Sequence, residues 1–450
     1  MNALALAAVL LAAGPAAAEA PRFELSMADA EAAARAHALD VKAAAEDSAS
    51  AGASADAAFA PLLPRLTLDG SYRYQTEVPE LAIVPGKPPQ EFGSNRAESI
   101  GPTLTWTLWD EGALRKTWRA QQAAARSRDE QLRLVQTQAT QAARLAYVQV
   151  QLGRERVRLL ADSVLVASAQ YADIEKRRRA GAASRIDSLS SHQTELQRRK
   201  DFLSAQSDLA AALRELLRLT ALGSGLDAAR PIDVRVSTVP AGLPEPTIRL
   251  ALDSLADTPS ALAAAESEAG AGDSHPAALV YARQADAARL TAGAAAAGEW
   301  PKVQVSGSIY YEYPNGPVNE YVTQKSAGVS ASLPLFEGRQ TARQAESASR
   351  AAAAADRRRE LVVEQLARDR DDALAALAAL RDQAGLDATA VVEAEELSRL
   401  IYDSYLAGRS TYLEVQSYQL TALQLNVNAA QTRAQILIQL AELAQLGARG

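Results

Sequence analysis

Side chains able to hold a metal, attack a carbon or move a proton are scarce in this chain. It has three histidines, His37, His192 and His275, and no cysteine. The lack of cysteine removes disulfides, thiolate metal sites, cysteine nucleophiles and a lipid-anchored N-terminal cysteine together. His192 sits on a helix in SHQTEL and reads as a solvated helical residue. His275 precedes Pro276 at a helix start, where it caps rather than ligates, and His37 lies in an Ala-rich helix. No phosphate loop, Ser/His/Asp arrangement or supported carboxylate pair is legible. The sequence therefore gives no reason to expect an enzyme, a cofactor or a metal site. The runs Arg177-Arg178-Arg179 and Arg357-Arg358-Arg359 read as solvated helix faces, the first also abutting a turn that could dock a partner.

With catalysis set aside, the elements that position side chains become the subject. The chain has 450 residues, 22% charged and only 5% aromatic, and is very rich in alanine. Small residues with Arg, Glu, Gln and Leu suit long, closely packed helices. A net charge of -7 argues against a nucleic-acid partner. The start, MNALALAAVLLAAGPAAAEA, reads as a secretory signal peptide over 1–18, cut after Ala18 by the small-x-small rule, although its basic n-region is missing. Beyond it no apolar run approaches the ~20 residues of a membrane helix, so any crossing must use strands.

The chain is written twice. LPRLTLDGSYRYQ from Leu63 is echoed by WPKVQVSGSIYYEY from Trp300, and TLTWTLWDEG ending at Gly112 by SASLPLFEG ending at Gly338. RRRAGAASRIDSL around Gly181 is matched by SYLAGRSTYLEVQ around Gly408, and the Leu-Gly at Gly223 by that at Gly447. Landmarks in one order at one spacing mark a repeat. A first repeat is expected over 19–223, with its β-hairpin at 64–109, and a second over 276–450, with its β-hairpin at 301–336. The segment 224–275 reads as a linker with a short helix around 247–257.

Strict alternation marks the strands. Leu66, Leu68, Gly70, Tyr72 and Tyr74 share one face, against Arg65, Thr67, Asp69, Ser71 and Arg73 on the other. Segments 100–108 and 303–313 alternate likewise, and 321–335 less strictly. A period of two with one polar face is a half-buried strand, and about 9–11 tilted residues span a bilayer. Aromatics gather at the strand ends, as membrane girdles do. A soluble β-sandwich is the open alternative. Four strands cannot close a barrel, and open edges are not tolerated in lipid, so spanning strands require several chains; three would give twelve strands.

Between Gly112 and Gly181 there is no proline. Val157, Leu160, Val164, Ala167, Tyr171 and Ile174 step by three and four, the coiled-coil period. Leu189, Leu196, Leu203, Ala210 and Leu217 recur every seven residues, as do Leu413, Leu420, Val427, Ala434 and Ala441. The breaks at Ala180-Gly181 and Ala407-Gly408 read as tips of helical hairpins. A solvent-exposed turn is the plainer alternative for each.

Together, PRLTLDGSY, LWDEG, LPLFEG, RRRAGAASRIDSL, SYLAGRSTYLEV and the terminal Leu-Gly pairs closely resemble the TolC-type outer-membrane efflux proteins, over essentially the whole mature chain. The resemblance implies a mixed α and β fold: duplicated long coiled-coil helices with four membrane-spanning strands per chain. A homotrimer would form a twelve-stranded β-barrel in outer-membrane lipid above a periplasmic α-helical tunnel. The function implied is the exit duct of a tripartite efflux or type I secretion system, fed by a periplasmic adaptor and an inner-membrane pump. It places the adaptor-docking tips at Ala180, Gly181, Ala182 and Ser184 and at Ala407, Gly408, Arg409 and Ser410. It places entrance gating at Asp187, Tyr405, Arg409 and Glu414, with Ser417 where a second acid is usual. Arg409 is displaced by one residue from the family's tip arginine, and 258–273 reads as an insertion. The alternative of another class is a non-conducting exported coiled-coil spacer or adhesin, which leaves the alternating strands without a reason.

Overall fold

Long uninterrupted helix is what an Ala-rich, proline-free sequence with a 3.5-residue apolar period should form. Two helices of 67 residues, α3 (Ala113–Arg179) and α7 (Gln340–Leu406), dominate the chain in this computed structural model. The structure describes residues 22–78, 80–81, 90–91, 93–221, 232–233, 248–257, 260–266, 270–316 and 318–449. The expected signal segment and its cut lie outside the described residues.

Around these two helices the other elements repeat. The first half holds β1 (Arg22–Glu24), α1 (Met27–His37), α2 (Leu39–Ala57), β2 (Arg65–Tyr74), the two-residue β3 (Glu80–Leu81) and β4 (Gln90–Glu91), and β5 (Arg96–Trp109). After α3 comes α4 (Arg185–Thr220). The joining segment carries β6 (Ile232–Asp233), β7 (Ile248–Ala251) and α5 (Ser260–Ala265). The second half holds α6 (Pro276–Ala296), β8 (Lys302–Tyr313), β9 (Val322–Ser332), α7 and α8 (Tyr412–Leu446). The Ala-rich helix expected around His37 is two helices, parted at Ala38, whose ψ of 136° leaves the helical region. The short helix expected around 247–257 is absent: Ile248–Ala251 is a strand, lying parallel between β1 and β6, and the helix falls later, at Ser260–Ala265.

The chain divides into two compact units, one of Met1–Lys42, Val135–Ala271 and Leu366–Ala448, the other of Ala43–Leu134, Gly272–Gln365 and Arg449–Gly450. The first unit holds the main core. Val150, Val157, Ala161 and Val164 of α3 are fully buried, together with Leu209, Leu213 and Leu216 of α4. Leu437, Leu440 and Ala441 of α8 join them, as do Ala373 and Leu377 of α7. Gly153 permits the close approach of α3 and α4, since a Cβ there would stand 3.2 Å from Leu209 Cδ1. The expected seven-residue ladder of α4 is buried only at Ala210 and Leu217; Leu189, Leu196 and Leu203 remain exposed. At the end of the core, Tyr147 Oη donates to Leu25 O (2.9 Å) or Asp253 Oδ2 (3.0 Å) and accepts from Asp253 N at 3.0 Å, fixing the N-terminal segment beside β7.

The second unit carries an antiparallel sheet in the order β2-β5-β8-β9. Its strands run 10 to 14 residues, long enough to span the apolar layer of a membrane. At the centre, Gly101 lets β5 approach β8 so closely that a Cβ would meet Ile309 O at 2.0 Å. Leu66, Leu68, Tyr72, Ile100, Ile309 and Val329 are all exposed. A sheet with large apolar residues facing outward has lipid or another chain as its surroundings. Among the described residues no helix is long and apolar enough to cross a membrane.

Candidate functional site at the helical hairpin tips

Each long helix ends at a glycine in the left-handed region, Gly181 at φ 75° and Gly408 at φ 74°. The two ends close with the same bonds. Ala182 N donates to Arg177 O (2.8 Å) and Gly181 N to Arg178 O (3.1 Å); Arg409 N donates to Ser404 O and Gly408 N to Tyr405 O, both 2.9 Å. This is the paired 6→1 and 5→2 closure that left-handed glycine permits. The return helices begin on matching capping boxes. Ser184 Oγ accepts from Asp187 N at 3.0 Å while Asp187 Oδ2 accepts from Ser184 N at 3.4 Å. Thr411 Oγ1 accepts from Glu414 N at 3.3 Å, and Glu414 Oε2 from Thr411 N at 2.8 Å. The acids at 187 and 414 therefore satisfy helix-start amides besides any other role.

The two tips meet through a small core of Ile174, Tyr412 and Val415, against which Ala183, Ile401, Tyr402 and Tyr405 pack. Polar ties cross the same contact. Tyr402 Oη donates to Asp173 Oδ2 at 3.5 Å, Arg177 Nε donates to that oxygen at 3.0 Å, and Arg177 Nη1 reaches Leu406 O at 3.4 Å. Gln416 Nε2 donates to Ser190 O at 3.1 Å, Ser190 Oγ returns a bond to Gln416 Oε1 at 3.2 Å, and Gln416 also reaches Thr194. Glu175 joins α3 to α4, accepting from Ser188 Oγ at 2.8 Å and from Arg178 at 2.7 and 2.8 Å.

Electrostatics follow these contacts. The Arg178 bonds, then the Ser188 bond, hold the Glu175 carboxyl well below the usual carboxylate range. Burial and then the negative charge of Asp187 push the Tyr405 phenol up, with Arg177 opposing. Burial and Asp173 raise Tyr402 likewise. Burial alone is the largest cause at Tyr412, pushed up to about 12. The tip is a set of neutral phenols and charged pairs at neutral pH.

The residues read from the sequence fall into two groups. Asp187 and Tyr405 face each other, whereas Arg409 makes no ion pair among the described residues and Glu414 is bonded to its own helix start. Ala180, Gly181, Ala182, Ala407, Gly408 and Arg409 are exposed at the turns; Ser184 caps α4, and Ser410 Oγ donates to Ser404 Oγ at 2.6 Å. Sequence reading missed Asp173, Tyr402, Ser190 and Gln416. It also took Arg177, which ties the hairpins, as a solvated face. His192 stacks on Tyr171 with ring centroids 4.7 Å apart rather than standing free in solvent. His275 does cap, its Nδ1 accepting from Ala277 N at 3.2 Å. Among the described residues no group of His, Asp and Glu could hold a metal ion.

One chain that carries both a sheet of membrane-length strands and two long helical hairpins has the parts of an outer-membrane channel. The chain belongs to the Outer membrane efflux protein family, whose profile matches residues 32–222 and 271–448. It is an efflux channel protein of the outer membrane, with its helices on the periplasmic side. No curated protein matches it by sequence. Several solved structures share its fold. A membrane protein from Pseudomonas aeruginosa superposes with a TM-score of 0.73 at 18% identity, covering 94% of this chain and 90% of that one. The outer membrane protein VceC from Vibrio cholerae gives 0.71 at 18%, covering 94% and 96%. The Campylobacter jejuni CmeC outer membrane channel gives 0.72 at 15%, covering 94% and 85%. At such identities the likeness is one of fold.

Proposed function

We propose that three copies of this chain share one barrel of twelve strands and form the exit duct of a tripartite efflux or type I secretion system. The observation that carries this reading is the sheet order β2-β5-β8-β9, in which β2 and β9 are edges with no further strand partner among the described residues. An unpaired edge of ten or more residues is not sustained in lipid, because each bare amide and carbonyl there costs several kcal/mol. Pairing β9 of one copy with β2 of the next satisfies both edges, and three copies make a closed barrel of ordinary size. The repeats 19–223 and 276–450 then each supply two strands and one helical hairpin.

Cargo enters at the ring of tips, where a periplasmic adaptor docks on the turns at Gly181 and Gly408 and connects the duct to an inner-membrane pump. Asp187 with Tyr405, supported by Asp173, Arg177 and Tyr402, holds the hairpins together at rest. Arg409 is available to a neighbouring copy, and Glu414 only through the carboxylate oxygen that does not cap its helix. Half-buried ties that water still reaches are worth about 1 kcal/mol each, so adaptor contacts that favour the separated hairpins shift the balance. The exposed ladder of Leu189, Leu196 and Leu203 faces the neighbouring copy in this arrangement. Native mass spectrometry of the detergent-extracted protein tests the assembly. Three chains per particle are expected, and a chain that remains monomeric in mild detergent would overturn it.

A further inference from the structure

The upper part of α3 has an unusual charge pattern. From Ala113 to Arg128 it carries Arg115, Lys116, Arg119, Arg126 and Arg128 and no acid. Arg115 and Lys116, in the first turn, oppose the helix dipole, so these charges are not there for the helix itself. Asp110 already caps this end, accepting from Gly112 N at 3.0 Å and Leu114 N at 2.8 Å.

Two of these cations line a groove with α6. A cavity of about 510 Å³ opens between Arg119, Gln122 and Arg126 on α3 and Arg283, Asp286 and Arg289 on α6. Four guanidiniums face one carboxylate. Asp286 lies 2.9 Å from Arg289 and 3.9 Å from Arg283, and Arg289 is further held by Asp356 at 2.7 Å. Among the described residues no carboxylate pairs with Arg119 or Arg126, and Arg283 Nε is buried without a hydrogen-bond partner. Planar guanidiniums converging in this way match a tetrahedral oxyanion.

The groove also has a definite depth. Trp106, Trp109 and Trp300 stand partly exposed at the helix-proximal end of the sheet, where interfacial tryptophans mark the edge of the hydrocarbon layer. α3 starts four residues past Trp109, and Arg119 lies six residues further on, ~9 Å down the helix axis. Side chains on α3 lean toward its N-terminus, that is, toward the sheet. With the sheet in the membrane as proposed above, Arg119 reaches the headgroup layer.

We propose that the α3–α6 groove is a phosphate-binding seat, with Arg119 and Arg126 as its free ligands, and that its occupant is the headgroup of an anionic phospholipid of the inner leaflet. The proposal rests on the barrel reading above, since the depth is measured from a sheet that spans the membrane.

The test is the thermal unfolding midpoint of the detergent-extracted protein, titrated with short-chain phosphatidylglycerol, with phosphatidylcholine of the same chain length, and with inorganic phosphate. Phosphatidylglycerol should stabilise the parent, and the Arg119→Gln/Arg126→Gln variant should bind it about ten-fold more weakly, as loss of charge-assisted bonds implies. Arg128→Gln, outside the groove, should bind as the parent does. Where the double variant fails to fold, Arg126→Gln alone carries the test. Equal stabilisation by inorganic phosphate at equal concentration would overturn the lipid as occupant. Binding unchanged in the groove variants would overturn the seat. A parent that leaves membranes without detergent would instead sink the barrel reading.

Discussion

Arg177 of α3 and Leu406 of α7, 229 positions apart, meet at the tip, where the Arg177 guanidinium donates to the Leu406 carbonyl at 3.4 Å. The same guanidinium holds Asp173 at 3.0 Å, and Asp173 in turn receives Tyr402 from α7. One arginine thus joins the last turn of each long helix, beside the Tyr405–Asp187 contact. The two hairpin tips are held to each other by several weak ties acting together.

Replacing Asp187 by Asn and Tyr405 by Phe together should therefore leave the resting channel leakier, raising conductance without loss of assembly. Adding Arg177→Gln should raise it further, because the second tie lies beside the first. Each half-buried tie contributes about 1 kcal/mol, so a single substitution should have a small effect. Conductance of the triple variant equal to the parent's would remove these residues from gating.

Gly101→Ala should prevent barrel formation. The added Cβ would stand 2.0 Å from Ile309 O, a backbone atom of the adjoining strand that cannot swing aside. Gly328→Ala is the control, since its Cβ would meet only Ser306 Oγ at 3.6 Å. Yield of the heat-modifiable oligomer on gels separates them: the first should be lost and the second kept.

These two sites show how far the sequence was legible. Alternation from Leu66 to Tyr74 marked a membrane-length strand because a sheet puts successive residues on opposite faces. Glycines at 181 and 408 marked the tips because few other residues reach the left-handed region. Gly101 carried no such signal: its role is set by β8, some two hundred residues away. Tyr402 and Gln416 were hidden for the same reason, since their partners belong to the other hairpin. The capping boxes Ser184 to Asp187 and Thr411 to Glu414 were readable as local patterns, yet the acids were read only for gating. The ladder of Leu189, Leu196 and Leu203 was found by its period, but period cannot say whether the covering helix belongs to the same chain. The strand at Ile248–Ala251 was missed because four residues offer too little alternation to distinguish it from a short helix.

Tyr147→Phe should lower the unfolding midpoint in detergent. Its buried hydroxyl bonds Leu25 O and both the backbone and side chain of Asp253, so removal leaves buried groups unsatisfied at a cost of ~1–3 kcal/mol. An unchanged midpoint would show that water replaces the hydroxyl without loss.

Alkali should loosen the tips. The Tyr412 phenol is raised from 10.0 to about 12 on folding, because burial disfavours the phenolate. A raised pKa means that its stabilising contribution is complete below pH 10 and lost as pH rises through about 12. The ultraviolet titration should show late-ionising tyrosine, with one such group missing in Tyr412→Phe. Identical titration of the two proteins would contradict the burial of this ring.

The central claim, that several chains close one conducting barrel, is tested most directly by single-channel recording of the extracted protein in a planar bilayer. The account predicts discrete, long-lived openings from a particle of three chains, enlarged by the tip substitutions. A protein that neither requires detergent nor conducts, with the tip variants equally silent, would contradict it and favour a non-conducting coiled-coil spacer.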